Sequence, residues 1–209
     1  MGRLIAYHLE SDRLHLEAFD PEAAEEVTAV VRAHQDHLKR YMPFAVHIPS
    51  LETQREQFAS FRAQFVDHDF TFFIRSRASG RFLGGCGLHP RVGPLGAEAG
   101  YWLLEDAVGQ GYASEAVTIL CHLAFRQEAL DRVELRIEPD NEPSIAVAER
   151  VGFRRECTLA RRLPWPGEEP RDVVLYTMFR HEFAQRPETL EVAWFDEARK
   201  PMVAPAELL

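Results

Sequence analysis

The sequence predicts an α+β domain, and three observations carry that prediction. Two segments near the start space their apolar residues three and four apart, and the middle runs as short strand-like segments joined by glycine turns. The second half then alternates strand-like and helix-like periods before a closing hairpin. Links as short as those in the middle make antiparallel hairpins.

The first helix is expected over 21–37, where Pro21 follows Asp20 as at a helix start and Val27, Val30 and Val31 share a face. The second is expected over 51–66, on Phe58, Phe61 and Phe65. Between them the proline-broken run Arg40-Tyr-Met-Pro-Phe-Ala-Val-His-Ile-Pro-Ser50 is a loop with much apolar surface. Tyr41 and Phe44 there either wall a substrate pocket or pin the loop to the core. Strands follow over 70–75, 82–88 and 98–104, with turns at Ser79-Gly80 and Gly93-Pro94. The period then changes: Ala113, Ala116, Val117, Leu120, Leu123 and Ala124 make one apolar stripe over 113–127. Next, Val133, Leu135 and Ile137 alternate with Glu134, Arg136 and Glu138, and a helix capped at Asn141 runs to 151. Segments 159–162 and 172–179 form the closing hairpin, with Pro164, Pro166, Gly167 and Pro170 in its long turn. The chain divides into a domain over 1–184 and an extension over 185–209, whose strand-like run 190–195 reads as an extra strand or as the arm of a homodimer.

Composition excludes several classes of function. With 46% hydrophobic residues over 209 positions, a core closes without disulfides or a structural metal. Lys and Arg number 24 against 33 Asp and Glu, a net charge of −9, and no basic cluster occurs, so a nucleic-acid backbone is a poor partner, whereas an acidic surface tolerates amines or basic peptides. Cys86, Cys121 and Cys157 form no CxxC pair and fit neither a disulfide framework nor a zinc site, which points to a reducing compartment and no metal. Charges at Arg3, His8, Glu10, Asp12 and Arg13 interrupt any signal peptide. Ala6 replaces the Ser or Thr that myristoylation at Met1-Gly2 needs, and no run approaches the ~18 apolar residues of a membrane span. The expectation is a cytoplasmic protein without a membrane partner.

The chemistry concentrates after the third mid-chain strand. Gly109-Gln110-Gly111 opens the amphipathic helix, and amides in such a turn, aided by the helix dipole, make a cradle for a diphosphate. Two glycines alone are a weak signal with an ordinary turn reading. A dinucleotide fold would need Gly-x-Gly-x-x-Gly early in the chain and a P-loop would need Gly-Lys-Ser/Thr, and neither occurs.

Several motifs in order are specific: Arg13-Leu-His-Leu16, Leu38-Lys-Arg-Tyr-Met-Pro-Phe44, Gly84-Gly-Cys-Gly-Leu88, Ala97-Glu-Ala-Gly-Tyr-Trp-Leu103, Gly109-Gln-Gly-Tyr-Ala-Ser-Glu-Ala116, Asn141-Glu-Pro-Ser144 and Glu149-Arg-Val-Gly-Phe153. Over residues 10–182 the chain resembles the GNAT family of acetyl-CoA-dependent N-acetyltransferases, in its RimJ/RimL branch. That resemblance implies a mixed, mostly antiparallel sheet splayed open midway, with helices on both faces and the pantetheine arm entering the gap. It implies that the backbone of Trp102 and Leu103 pairs with that arm. Gly109, Gln110, Gly111, Ala113 and Ser114 would hold the pyrophosphate, and Asn141 would meet the pantetheine. The reaction it implies is direct acetyl transfer to a primary amine, either a protein N-terminus or a small molecule, in a ternary complex. Ser144 is then the candidate to protonate the departing thiolate, and Glu98 the candidate base acting through water. His47 and His89, read as loop residues, are lesser base candidates. The oxyanion falls to an amide near Trp102 or Leu103. Two positions depart from the family pattern: Val108 stands where its phosphate motif begins with Arg or Gln, and Ala148 where many members carry a Tyr acid. Those departures leave room for a second reading, a CoA-binding module that has lost catalysis.

Overall fold

The computed structural model describes residues 5–187 and 190–203; Met1-Gly2 and the last residues of the tail lie outside them. In chain order the elements are β1 (His8–Glu10), β2 (Leu14–Ala18), α1 (Ala24–Ala33), α2 (Gln35–Leu38), α3 (Leu51–Ala63), β3 (Phe70–Ser76), β4 (Phe82–His89) and β5 (Gly96–Leu103). There follow α4 (Tyr112–His122), β6 (Arg132–Ile137), α5 (Glu142–Val151), β7 (Arg154–Leu163), β8 (Arg171–Phe179), α6 (Arg180–Ala184), β9 (Ala193–Phe195) and β10 (Pro201–Met202).

The ten strands among the described residues share one sheet, in the order β10-β9-β1-β2-β3-β4-β5-β6-β8-β7. Every neighbouring pair is antiparallel except β5 and β6. That parallel pair holds only from Gly96↔Arg132 to Glu98↔Glu134. Beyond Glu98, β5 stays with β4 as far as Gly84↔Leu103, and β6 stays with β8 as far as Ile137↔Val174. The two half-sheets therefore diverge from a three-residue hinge, and one edge of β5 faces a gap. The mixed, open sheet implied by the resemblance is present.

Burial shows why helices cover both faces at the centre. Successive side chains on a strand point to opposite sides, yet Phe72, Phe73 and Ile74 of β3 are all fully buried, and β4 is buried throughout 82–88. Phe73 meets Phe19 at 4.0 Å and Phe58 of α3 at 5.3 Å between ring centroids. Each such ring contributes roughly 1.5–3 kcal/mol by burial. The stripe expected over 113–127 is buried at every position named for it.

Several boundaries differ from expectation. The helix expected over 21–37 is a 3₁₀ turn followed by α1 and α2, broken at His34, and the one over 113–127 turns from α to π at Leu123. β1 is too short to show a period, and β2, in which Leu14, Leu16 and Ala18 alternate with His15 and Glu17, is absent from the expected element order. β7 starts at Arg154 because its ladder to β8 orders residues whose side chains are polar and exposed on both faces. The tail run 190–195 contributes only Ala193–Phe195 as β9. His89 ends β4 and is not a loop residue. No helix among the described residues is long and apolar enough to cross a membrane.

Candidate active site

The gap between β5 and β6 opens into a cavity of about 570 Å³. The expected acceptor residues Tyr41 and Phe44, the base candidate Glu98, and Trp102, Asn141 and Ser144 all line it, although they come from three separated stretches of chain. The loop after α2 bridges the two lips: the Tyr41 hydroxyl donates to the Asp140 carbonyl at 3.2 Å, and Phe44 packs on Trp102 at 5.3 Å between centroids. Trp102 also meets Phe82 at 5.7 Å and lies over Gly85, where an added Cβ would come within 2.7 Å of the indole Nε1.

The glycine turn lies beside β5, at the start of α4. Gly109 and Gly111 adopt φ of +76° and +82°, in the left-handed region that a side chain disfavours, and Gly111 caps the helix. Ala113 and Ser114 form its first turn. Val108 is 47% exposed, so the missing donor faces solvent beside the turn. Two guanidinium groups that the motif reading did not bring here stand nearby. Arg13 donates from Nη1 to the Gln110 carbonyl at 2.9 Å and from Nε to Glu115 Oε2 at 2.7 Å, and the Ser11 hydroxyl donates to Glu115 at 2.6 Å. Arg150 of α5 donates to Ser114 Oγ at 3.3 Å. A left-handed turn opening an eleven-residue helix, flanked by two arginines, suits a diphosphate in donor chemistry and charge. The residues present fit the cofactor arm that the sequence implied.

Asn141 caps α5, its Oδ1 accepting from the Ser144 amide at 3.3 Å and its side chain nearly enclosed. The Tyr101 hydroxyl, pushed up to about 12 by burial, donates to the Ser144 carbonyl at 3.5 Å, which ties β5 to α5 across the gap. Glu98 is bound by Arg91 through Nε at 3.0 Å and Nη2 at 2.7 Å, with Arg136 at 3.6 Å. Each of its oxygens thus accepts one hydrogen bond from the Arg91 guanidinium. Sequence reasoning missed Arg13 because its contact with Gln110 spans 97 residues. Cys86 and Cys121 are buried, which raises both thiols and suits packing better than nucleophilic attack.

At the other end of the sheet, His8, His15 and Glu17 place ligand atoms within 4.8 Å of one another. Arg75 already pairs with Glu17, and Arg199 Nη2 lies 3.5 Å from His15 Nε2, so two cations occupy the ground a metal's charge would need.

Comparison with known proteins agrees with this geometry. Residues 13–154 match the family model described as an acetyltransferase (GNAT) domain. YdaF of Bacillus subtilis (strain 168), whose name assigns it provisionally as a ribosomal N-acetyltransferase, is 28% identical over 181 residues, covering 83% of this chain and 94% of its own. The ribosomal-protein-serine acetyltransferase of Escherichia coli (strain K12) is 38% identical over 88 residues, 41% of this chain and 49% of its own. Among solved structures, Mycobacterium smegmatis RimJ in complex with CoA-disulfide superposes with a TM-score of 0.73 at 25% identity, covering 88% of this chain and 90% of its own.

Proposed function

This chain belongs to the GNAT acetyltransferase family, and from that premise we propose that its acceptor is the N-terminal amine of a protein or peptide. The activity itself follows from family membership: the chain is an acetyl-CoA-dependent N-acetyltransferase. The observation that carries the site is the parting of β5 from β6 after Glu98, directly beside the left-handed turn that opens α4. A strand edge with free amides and a diphosphate cradle at one end together match a long pantetheine arm with a phosphate handle.

In this reading the turn at Gly109, Gln110 and Gly111, with Ala113 and Ser114, holds the pyrophosphate, and Arg13 and Arg150 supply the charge that Val108 lacks. The backbone of Trp102 and Leu103 receives the arm and meets the oxyanion, and Asn141 completes that wall. Ser144 supplies the proton for the departing thiolate. Glu98 anchors Arg91 and Arg136 at the acceptor side. Tyr41 and Phe44 form an apolar wall against the acceptor's first side chain. Two relatives are named for ribosomal-protein or ribosomal acetylation, which supports a protein terminus over a small amine. Residues 1–184 make up the catalytic unit and 185–209 an extension, whose β9 covers the edge of β1. Three free cysteines fit a cytoplasmic setting.

The test is thiol release from acetyl-CoA against hexapeptides with different first residues and against small amines such as spermidine and aminoglycosides. Peptides beginning with Ser or Ala should exceed the small amines in kcat/KM by roughly tenfold or more. Turnover confined to small amines would overturn the acceptor assignment.

A further inference from the structure

One face of the β4–β5 hairpin holds an imidazole over glycine. Gly85, Gly87 and His89 share a face of β4, and the register Gly85↔Trp102, Gly87↔Gly100 and His89↔Glu98 places Trp102, Gly100 and Glu98 on the same side. A Cβ on Gly87 would lie 2.6 Å from His89 Nε2, so the ring lies along that glycine. A Cβ on Gly100 would meet nothing within 4 Å, so the space beside the ring is open, and His89, Gly87 and Gly100 all line the acceptor cavity. The other ring nitrogen, Nδ1, is 2.5 Å from Asp69 Oδ1. An ionised carboxylate only accepts, so Nδ1 carries a hydrogen and donates it, and in the neutral ring Nε2 is the nitrogen left with the lone pair. Among the described residues nothing hydrogen-bonds that Nε2.

The geometry points to His89 as the catalytic base that deprotonates the acceptor ammonium, with Asp69 as the positioning residue that fixes its tautomer and ring orientation. This rests on the amine-acetylation reading above. The charged and titratable groups around the ring are Asp69, the cross-strand Glu98, Arg91 just after β4, Arg136 of β6 and His47 of the bridging loop. Arg91 and Arg136 engage Glu98, which leaves Asp69 as the anion bonded to the ring.

The proton and electron balance closes without another reactant. The ammonium R–NH₃⁺ gives one proton to Nε2 and becomes R–NH₂. Its lone pair forms the C–N bond at the thioester carbon while the carbonyl π pair moves onto oxygen. That pair then re-forms the carbonyl, the C–S bond breaks and its electrons leave on sulfur. The second nitrogen proton ends on the thiolate, which gives the free thiol and the amide, and the imidazolium returns its proton to solvent.

His89→Gln and Asp69→Asn test this at saturating acetyl-CoA with the fastest acceptor of the panel. His89→Gln should lower kcat about 100-fold or more, the ordinary contribution of a positioned base, with acetyl-CoA affinity by calorimetry unchanged. The acidic limb of the kcat/KM profile should vanish, and Asp69→Asn should keep the limb at a rate roughly tenfold lower. His89→Ala opens a hole over Gly87, and added imidazole should restore turnover. A His89→Gln enzyme within twofold of the parent in kcat, with the acidic limb intact, would overturn the assignment. So would a His89→Ala enzyme that melts like the parent yet gains nothing from imidazole. Turnover by the parent enzyme tests acetylation itself, and the ratio of variant to parent tests His89.

Discussion

Gly111 shows how one residue can specify a ligand contact. At φ of +82° its backbone is in the left-handed region, and a Cβ there would meet only the flexible end of Arg13, at 3.4 Å from Nη2. Gly111→Ala therefore carries conformational strain of about 1 kcal/mol and little clash. Gly111→Asp adds a carboxylate at the mouth of the cradle, where it competes with diphosphate for the amides and for Arg13. Calorimetry should find acetyl-CoA affinity within about tenfold of the parent for the alanine variant and lower by roughly 100-fold or more for the aspartate. Equal affinity for parent and aspartate variant would remove the turn from the binding site. The glycines were legible in the sequence because positive φ is a property of residue type. Arg13 was not, because its place beside Gln110 depends on β2 and α4 lying together, and no local pattern encodes that. His89 was legible as a lesser base candidate but not as the oriented one, since the Asp69 that orients it precedes it by a full hairpin.

At the scale of elements, the long periodic segments matched and the short or two-sided ones did not. α4 and α5 were legible in spacing and caps, whereas β1, with three residues, is shorter than any window in which a period can be read. Pairing with β2 and β9 makes it a strand, and that pairing brings His8 Nδ1 to 3.2 Å from His15 Nε2. Burial, then the neighbouring His15 and Arg199, lowers the His8 pKa to about 4. The sign follows: a histidine whose folded pKa is depressed stays neutral in the native state while the unfolded chain takes up a proton. The stability it contributes is complete above about pH 6.5, falls as pH drops towards 4, and changes little below that. Thermal melts should show a lower Tm at pH 5 than at pH 7.5, and His8→Asn should flatten the difference. An unchanged slope in that variant would place the pH sensitivity elsewhere.

At the scale of the molecule, the splay of the sheet was legible only through the resemblance, because it is set by where two strands stop pairing, and nothing in the composition of β5 or β6 marks Glu98 as that point. The extension is the other whole-molecule feature, and its strands close an edge. β9 pairs with β1 through His8↔Phe195 and Leu9↔Trp194, and Trp194 is 3% exposed within the main core. Removing residues 187–209 would strip β1 of its outer partner and leave a hydrophobic slot where the indole sat. Deleting a buried tryptophan side chain alone costs about 3–5 kcal/mol. An unpaired strand edge also invites association with another copy. The truncated protein should therefore melt well below the parent and form concentration-dependent oligomers in light scattering. The cradle at Gly109–Gly111 belongs to α4 and the loop before it, so the folded fraction should bind acetyl-CoA with the parent's affinity. Trp194→Ala in the full-length chain separates the two effects: it should lower Tm while leaving the β1 edge covered and the oligomeric state as in the parent. If truncation instead dissociated a stable dimer into monomers that melt like the parent, the extension would be an intersubunit arm and its intramolecular pairing with β1 would contribute little to stability.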